Sequence, residues 1–398
     1  MAAAAAAVAG VFALLFFLYL LQRAAAPGGY PTAASTAETC RPCHQSIYDS
    51  YVKTGHYLTS SPATREAVMG DFRQGHNAVK TPVPGLRFTM EKSRGGFFQT
   101  GTYWADTTSS FTKPFHVVVG SGERAQTYLF WEGNRLFQLP GMYFTPEATW
   151  TLGPGYENWI AAWENLPRKS VSMLYQRPIG GRCLECHTSA ATRVGSPDGF
   201  EFRPESLETG ISCGKCHGPG ERHVAFHEQN PEIDEGRHIL NPARLSRSRQ
   251  LSSCALCHSG QGLPRTPSLS FRPGDEISNH RVYPEAERMK LSVHGGQVPF
   301  LEESRCFSES DMTCSTCHDV HVDQTGRTAA FSQKCLGCHS QPHPEDAELA
   351  RGDRCTVCHM PDQQARNLPV YHEGEEWFLS MANHRIGIFP EAESFRPP

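Results

Sequence analysis

Cys-x-x-Cys-His occurs seven times in the chain, and no other feature restricts its fold so severely. The copies are Cys40-Cys43-His44, Cys183-Cys186-His187, Cys213-Cys216-His217, Cys254-Cys257-His258, Cys314-Cys317-His318, Cys335-Cys338-His339 and Cys355-Cys358-His359. They take fourteen of the fifteen cysteines and leave Cys306 over. A lone Cys-x-x-Cys also serves zinc ribbons, dithiol redox sites and iron–sulfur clusters. Here a histidine follows every pair, and with 19 histidines in 398 residues chance would produce that on the order of once in a billion trials. Zinc does not require histidine at that fixed place. Two thiols that add to the vinyl groups of a haem, with the next residue ligating the iron, do require both spacing and order. Each copy therefore reads as an attachment site, which implies seven covalently bound haems c.

Seven porphyrins change what the remaining chain must do. They occupy interior volume themselves, so the polypeptide can be rich in loops, as 35 Gly and 29 Pro suggest. A formal charge of −4 carries no sign of nucleic-acid binding. The first 22 residues have no charged side chain and include the apolar run from Val11 to Leu21. That stretch reads as an export segment, either a cleaved signal peptide ending near Ala24–Ala26 or an uncleaved anchor that tethers the protein to the membrane. Both place the rest of the chain on the periplasmic or extracellular side, where c-type haem is attached.

The expected fold is mostly short helices and loops packed around haems, with an inserted antiparallel β-module. The division is 1–27 for export, 28–80 for a first haem module, 81–165 for the β-rich insertion, 166–362 for six haems, and 363–398 for a tail supplying distal histidines. Leu86–Met90, Gly96–Tyr103, Phe115–Val119, Gln126–Trp131 and Arg135–Leu139 are β-branched and aromatic runs, and Glu132-Gly133-Asn134 suits a hairpin turn. Helices are expected after His44, after Ser61-Pro62, over Pro284 to Val293 and over Pro344 to Arg351. Tyr156, Trp159 and Trp163 would pack on the first or second haem or in an ordinary core. Six motifs within 177 residues leave too little protein to insulate the porphyrins from one another, so neighbouring haems are expected nearly in contact.

Twelve histidines lie outside the motifs, more than seven distal positions need. A full bis-histidine set is therefore available, and six-coordinate iron would restrict the chemistry to electron transfer. His56, His223, His294, His321, His343, His372 and His384 are the candidates, each on a helix end or loop near a motif. His116, inside a β-run, and His76 read as structural; His227, His238 and His280 are undecided. Cys306 reads as a small apolar residue or a redox-active thiol.

Several phrases extend beyond the motif itself. Glu38-Thr-Cys-Arg-Pro-Cys-His with Tyr48, Tyr51 and His56, Cys213-Gly-Lys-Cys-His-Gly-Pro-Gly-Glu-Arg-His, Asn241-Pro-Ala-Arg244, Phe271-Arg-Pro-Gly-Asp275, Cys314-Ser-Thr-Cys-His-Asp-Val-His and Cys355-Thr-Val-Cys-His-Met-Pro361 resemble multihaem cytochromes of the cytochrome c-554 type. The resemblance implies electron carriers outside the cytoplasm and supports His56, His223, His294, His321 and His384 as distal ligands. The leading expectation is a heptahaem cytochrome moving single electrons between redox partner proteins, with no catalytic residue. A second is an oxidoreductase with one five-coordinate haem acting on a small nitrogen or sulfur compound, although the Cys-x-x-Cys-Lys of pentahaem nitrite reductases does not occur. A third is a subunit of an extracellular filament or conduit, which would make the protein a multimer.

Overall fold

The computed structural model describes residues 36–104, 109–340 and 354–389. The export segment, His343 and the helix expected over 344–351 lie outside the described residues. Short helices and antiparallel sheets make up the described chain, so the fold is mixed helix and sheet.

Nine strands come from the first half of the chain: β1 (Ser60–Pro62), β2 (Ala78–Lys80), β3 (Leu86–Ser93), β4 (Gly96–Tyr103), β5 (Ser109–Pro114), β6 (Val117–Val119), β7 (Ala125–Glu132), β8 (Arg135–Phe144) and β9 (Thr149–Leu152). Alternation decides their faces. In β3 Leu86, Phe88 and Met90 turn inward while Arg87 and Glu91 face water. β2 to β5 pair in sequence order into a four-stranded sheet. A second sheet runs β1-β6-β7-β8-β9 and is completed by tail strands Val370–His372 and Glu375–Trp377. It thus takes its two edges from outside residues 81–165. Gly133-Asn134 makes the two-residue turn between β7 and β8, with Gly133 in the left-handed region at φ 55°.

Phe88, Met90 and Phe97 from the smaller sheet meet Tyr128, Phe130 and Trp150 from the larger one, with Phe115 from the link between β5 and β6, in one core cluster. Helix Tyr156–Glu164 closes that core by turning Tyr156, Ile160 and Trp163 inward. The Tyr156 hydroxyl donates to Gln138 O at 2.7 Å and Trp163 Nε1 to Ser170 O at 2.8 Å, so both are ordinary core residues, whereas Trp159 is exposed. Strand β8 is buried on both faces from Leu136 to Phe144. One face supplies Phe137, Leu139 and Tyr143 to the core between the sheets. The other places Leu136, beside Val117 and Leu129, against Ile179, Leu184 and Phe202. Leu184 lies inside the second Cys-x-x-Cys-His motif, so the sheet is the floor on which that motif rests.

Two expected helices differ. The segment after Ser61-Pro62 forms a turn and no helix; the expected cap residues Ser61 and Pro62 pair with Val118 and Val117 in β1, and Ala63 N donates to His116 O at 3.0 Å. Pro284 to Val293 contains one helical turn, Glu285–Arg288. Trp150 explains part of the packing near β1: its ring is fully buried, and its Nε1 donates to Asp71 O at 2.8 Å. Gly70, at φ 137°, presses against that ring, which a Cβ would overlap. Gly70→Ala should cost about 1–3 kcal/mol, read as a lower thermal midpoint in far-UV circular dichroism with the haem spectrum unchanged below the transition.

Candidate haem sites

Each motif occupies one helical turn. Cysteines three apart share a helix face and the histidine follows on the next residue, so three ligating groups converge on one side. The closing bond is repeated from motif to motif: His44 N, His217 N, His318 N and His339 N donate to the carbonyls of Cys40, Cys213, Cys314 and Cys335 at 3.0, 2.9, 2.9 and 2.9 Å. All fifteen cysteines, every one of them described, are free of disulfides.

Motif histidines face other histidines in pairs. His44 and His223 stack with ring centres 6.3 Å apart, His217 and His321 at 6.1 Å, and His318 and His384 at 6.1 Å, with interplanar angles of 16°, 21° and 18°. His258 meets His56 at 6.1 Å with the rings nearly perpendicular. His187 has His294 close enough that a charge on one disfavours a charge on the other. Such pairs would be able to hold a metal between two imidazoles, and a haem iron would gain reversible one-electron chemistry there. Among the described residues no group of three or more His, Cys, Asp and Glu is gathered for a metal.

Hydrogen bonds orient the rings. Nδ1 of His217, His359, His223 and His384 donates to the carbonyls of Leu240, Gly387, Arg237 and Ala382 at 2.9, 2.8, 2.8 and 3.2 Å. A carbonyl only accepts, so the proton sits on Nδ1 and the Nε2 lone pair is left for a metal. His187 Nδ1 lies 3.0 Å from Thr59 Oγ1 and His258 Nδ1 3.4 Å from Gln297 Oε1. Burial, reinforced by a neighbouring imidazole, lowers His56, His187 and His384 to about 4; burial also lowers His217, His258, His294 and His318. These rings are neutral at pH 7, the form that ligates iron.

Other histidines are held differently. His280 has Asp275 Oδ2 at 3.0 Å on Nε2 and Thr266 Oγ1 at 2.9 Å on Nδ1, so both nitrogens are engaged. His116 Nδ1 accepts from Trp131 N at 2.8 Å, which puts its proton on Nε2. His76 is exposed beside Asp71. His372 stacks on Trp377 at 4.5 Å. His227 packs edge-on to His223 at 4.6 Å, and His238 sits at φ 57° with its Nδ1 3.5 Å from Arg222 Nη2. Spacing could not separate these roles; what separates them is which atom lies beside each nitrogen.

Thiols of different motifs also touch. Cys40 hydrogen-bonds Cys213, Cys186 bonds Cys257, and Cys254 bonds Cys314, each pair sharing a proton that pulls Cys213, Cys186 and Cys314 down and pushes Cys40, Cys257 and Cys254 up. Burial and the neighbouring Cys355 raise Cys335 to about 11. Cys306 is half-buried on the Arg305–Ser308 turn, near Cys317 and Cys335.

A family model described as "Cytochrome c554 and c-prime" matches residues 156–218, which contain the second and third motifs. The chain is a multihaem c-type cytochrome. It is 20% identical over 402 residues to the dissimilatory sulfite reductase MccA of Wolinella succinogenes, covering 83% of this chain and 51% of that protein. It is 23% identical over 196 residues to the multiheme cytochrome MtrA of Shewanella baltica, covering 44% and 57%. The cytochrome spans about half the length of these curated relatives. The solved outer cell wall cytochrome OcwA shares the fold at a TM-score of 0.52 and 13% identity, over 91% of this chain and 81% of that one. Among the described residues no helix is long and apolar enough to cross a membrane. Because both nitrogens of His280 are engaged and the Nδ1 lone pair of His116 is committed to Trp131 N, His116→Ala and His280→Ala should each leave the haem content and the low-spin absorption spectrum of the cytochrome unchanged.

Proposed function

We propose that the cytochrome binds seven haems c, with His44, His187, His217, His258, His318, His339 and His359 as proximal ligands, and carries single electrons between redox partner proteins. The observation that carries this reading is the set of facing imidazoles: His223, His321, His56 and His384 stand opposite four of the proximal histidines, and His294 lies within electrostatic reach of His187 and His258. Bound haems supply reversible one-electron chemistry, and two histidines on each iron leave no position for a substrate. His343, outside the described residues, and His372 remain proposed ligands, His372 requiring its ring to leave Trp377. Backbone carbonyls on Nδ1 keep the rings in place, and the sheet anchors the second motif through the buried Leu184.

Contacts between motifs support an order of sites. The first adjoins the third through Cys40 and Cys213, the third and fourth approach at Cys216 and Cys254, and the fourth adjoins the fifth through Cys254 and Cys314. The fifth, sixth and seventh continue through Cys317, Cys338, Cys335 and Cys355, while the second joins the fourth through Cys186 and Cys257. This order is branched and has three ends, the first, second and seventh sites, at which electrons would enter and leave. Relatives named for the outer cell wall and for a multihaem cytochrome support a periplasmic or extracellular location. Tethering through residues 1–22 and assembly into a filament or conduit belong to the same proposal.

A second reading, an oxidoreductase acting on a small sulfur or nitrogen compound, draws on the relative named a sulfite reductase. It requires an iron with an open face. Electron paramagnetic resonance with spin counting on the oxidised protein separates the two. The carrier reading expects low-spin signals from every haem; a high-spin component of about one haem per chain would overturn it in favour of the enzyme. His294→Ala should convert one low-spin haem to high spin, and an unchanged spectrum would remove His294 as a ligand.

A further inference from the structure

The second motif carries a carboxylate within its own turn. Glu185, between Cys183 and Cys186, is 3% exposed. Its Oε2 accepts from Arg281 Nη2 at 2.7 Å and from Arg182 Nη1 at 3.0 Å, while Oε1 accepts from Leu269 N at 2.8 Å. Both guanidiniums are also withdrawn from water, with side chains 4% and 15% exposed. Their other donors go to uncharged groups: Arg182 to Leu256 O at 2.7 Å and Gly260 O at 2.6 Å, Arg281 to Gln261 O at 3.0 Å and Ser268 Oγ at 3.1 Å. One carboxylate against two guanidiniums leaves a net positive charge of one in the interior.

That charge lies where two sites meet. Leu256 is inside the fourth motif, between Cys254 and Cys257, and its carbonyl accepts from Arg182 and lies 3.9 Å from Cys186 Sγ. Arg182 thereby bridges the helix of the second motif to that of the fourth. Its Nε and the Tyr283 hydroxyl are buried without a hydrogen-bond partner among the described residues, so the cluster is not relaxed into a neutral network. Retaining an uncompensated buried charge is costly, and replacing buried ion groups with apolar residues is often neutral or stabilising. Stability alone gives no account of this arrangement.

We propose that the Arg182–Glu185–Arg281 triad is an electrostatic element that raises the reduction potentials of the sites built on the second and fourth motifs. The argument rests on haems being bound there as proposed above. Reduction adds one electron to such a site without making or breaking a bond, and the electron comes from a redox partner. A fixed positive charge nearby favours the reduced form, and low dielectric preserves the effect where salt would screen it at the surface.

Charge counting gives the test. The triad holds +1; Glu185→Gln makes it +2, Arg281→Gln makes it 0, and the double variant returns it to +1. The full-length holoprotein of each is titrated by optical spectroelectrochemistry after its haem content is measured. Glu185→Gln should move one or two components of the titration upward, Arg281→Gln should move the same components downward, and the double variant should return them toward the parent. Should Glu185→Gln yield no holoprotein, the comparison of Arg281→Gln with the double variant reads the same sign. Shifts of both singles in one direction, or none, would overturn the proposal. A parent protein short of two haems would instead defeat the reading on which it rests, so the two failures are distinct.

Discussion

An imidazole can give a metal only one lone pair at a time, and the destination of its remaining proton decides which nitrogen supplies it. That constraint underlies the arrangement of this cytochrome. Leu240, Gly387, Arg237 and Ala382 contribute nothing to the sites through their side chains; their carbonyls hold His217, His359, His223 and His384 in the tautomer that exposes Nε2. Loops are usually the variable part of a protein. Here their backbone course determines the chemistry of the rings, so a shift of a loop by one residue would alter a site without changing any ligand.

The facing pairs also tie together parts of the chain that are remote in sequence. His56, just after the first motif, meets His258 of the fourth; His223, just after the third, meets His44 of the first; His321, just after the fifth, meets His217 of the third. Groups that bind only the folded arrangement add to its stability by mass action. Much of the apolar core lies in the two sheets, so in the region of closely spaced motifs these cross-connections would add to a smaller apolar packing if haems are bound there as proposed.

The motifs were legible in the sequence because covalent chemistry dictates both spacing and order. Strands such as β3 and β4 were legible because burial on one face imposes alternation. Partner choice was not. Nearness along the chain draws attention to His56, His223 and His321, yet each faces a motif other than the one it follows, since only tertiary packing decides which rings meet. Position inside a β-run was enough to read His116 as structural, but His280 could not be separated from ligands by position, because the deciding atom, Asp275 Oδ2, lies on another turn. The helix expected after Ser61-Pro62 loses its cap in the same way, because Ser61 and Pro62 pair with β6.

The larger sheet draws one edge from β1 and the other from the strands at Val370–His372 and Glu375–Trp377. A chain that emerges from its amino terminus offers the first motif long before those last strands, and long before His223. Until residues 370–377 are made, the sheet that carries the second motif has one edge unpaired, and until residue 384 is made His318 of the fifth motif has no imidazole facing it from the tail.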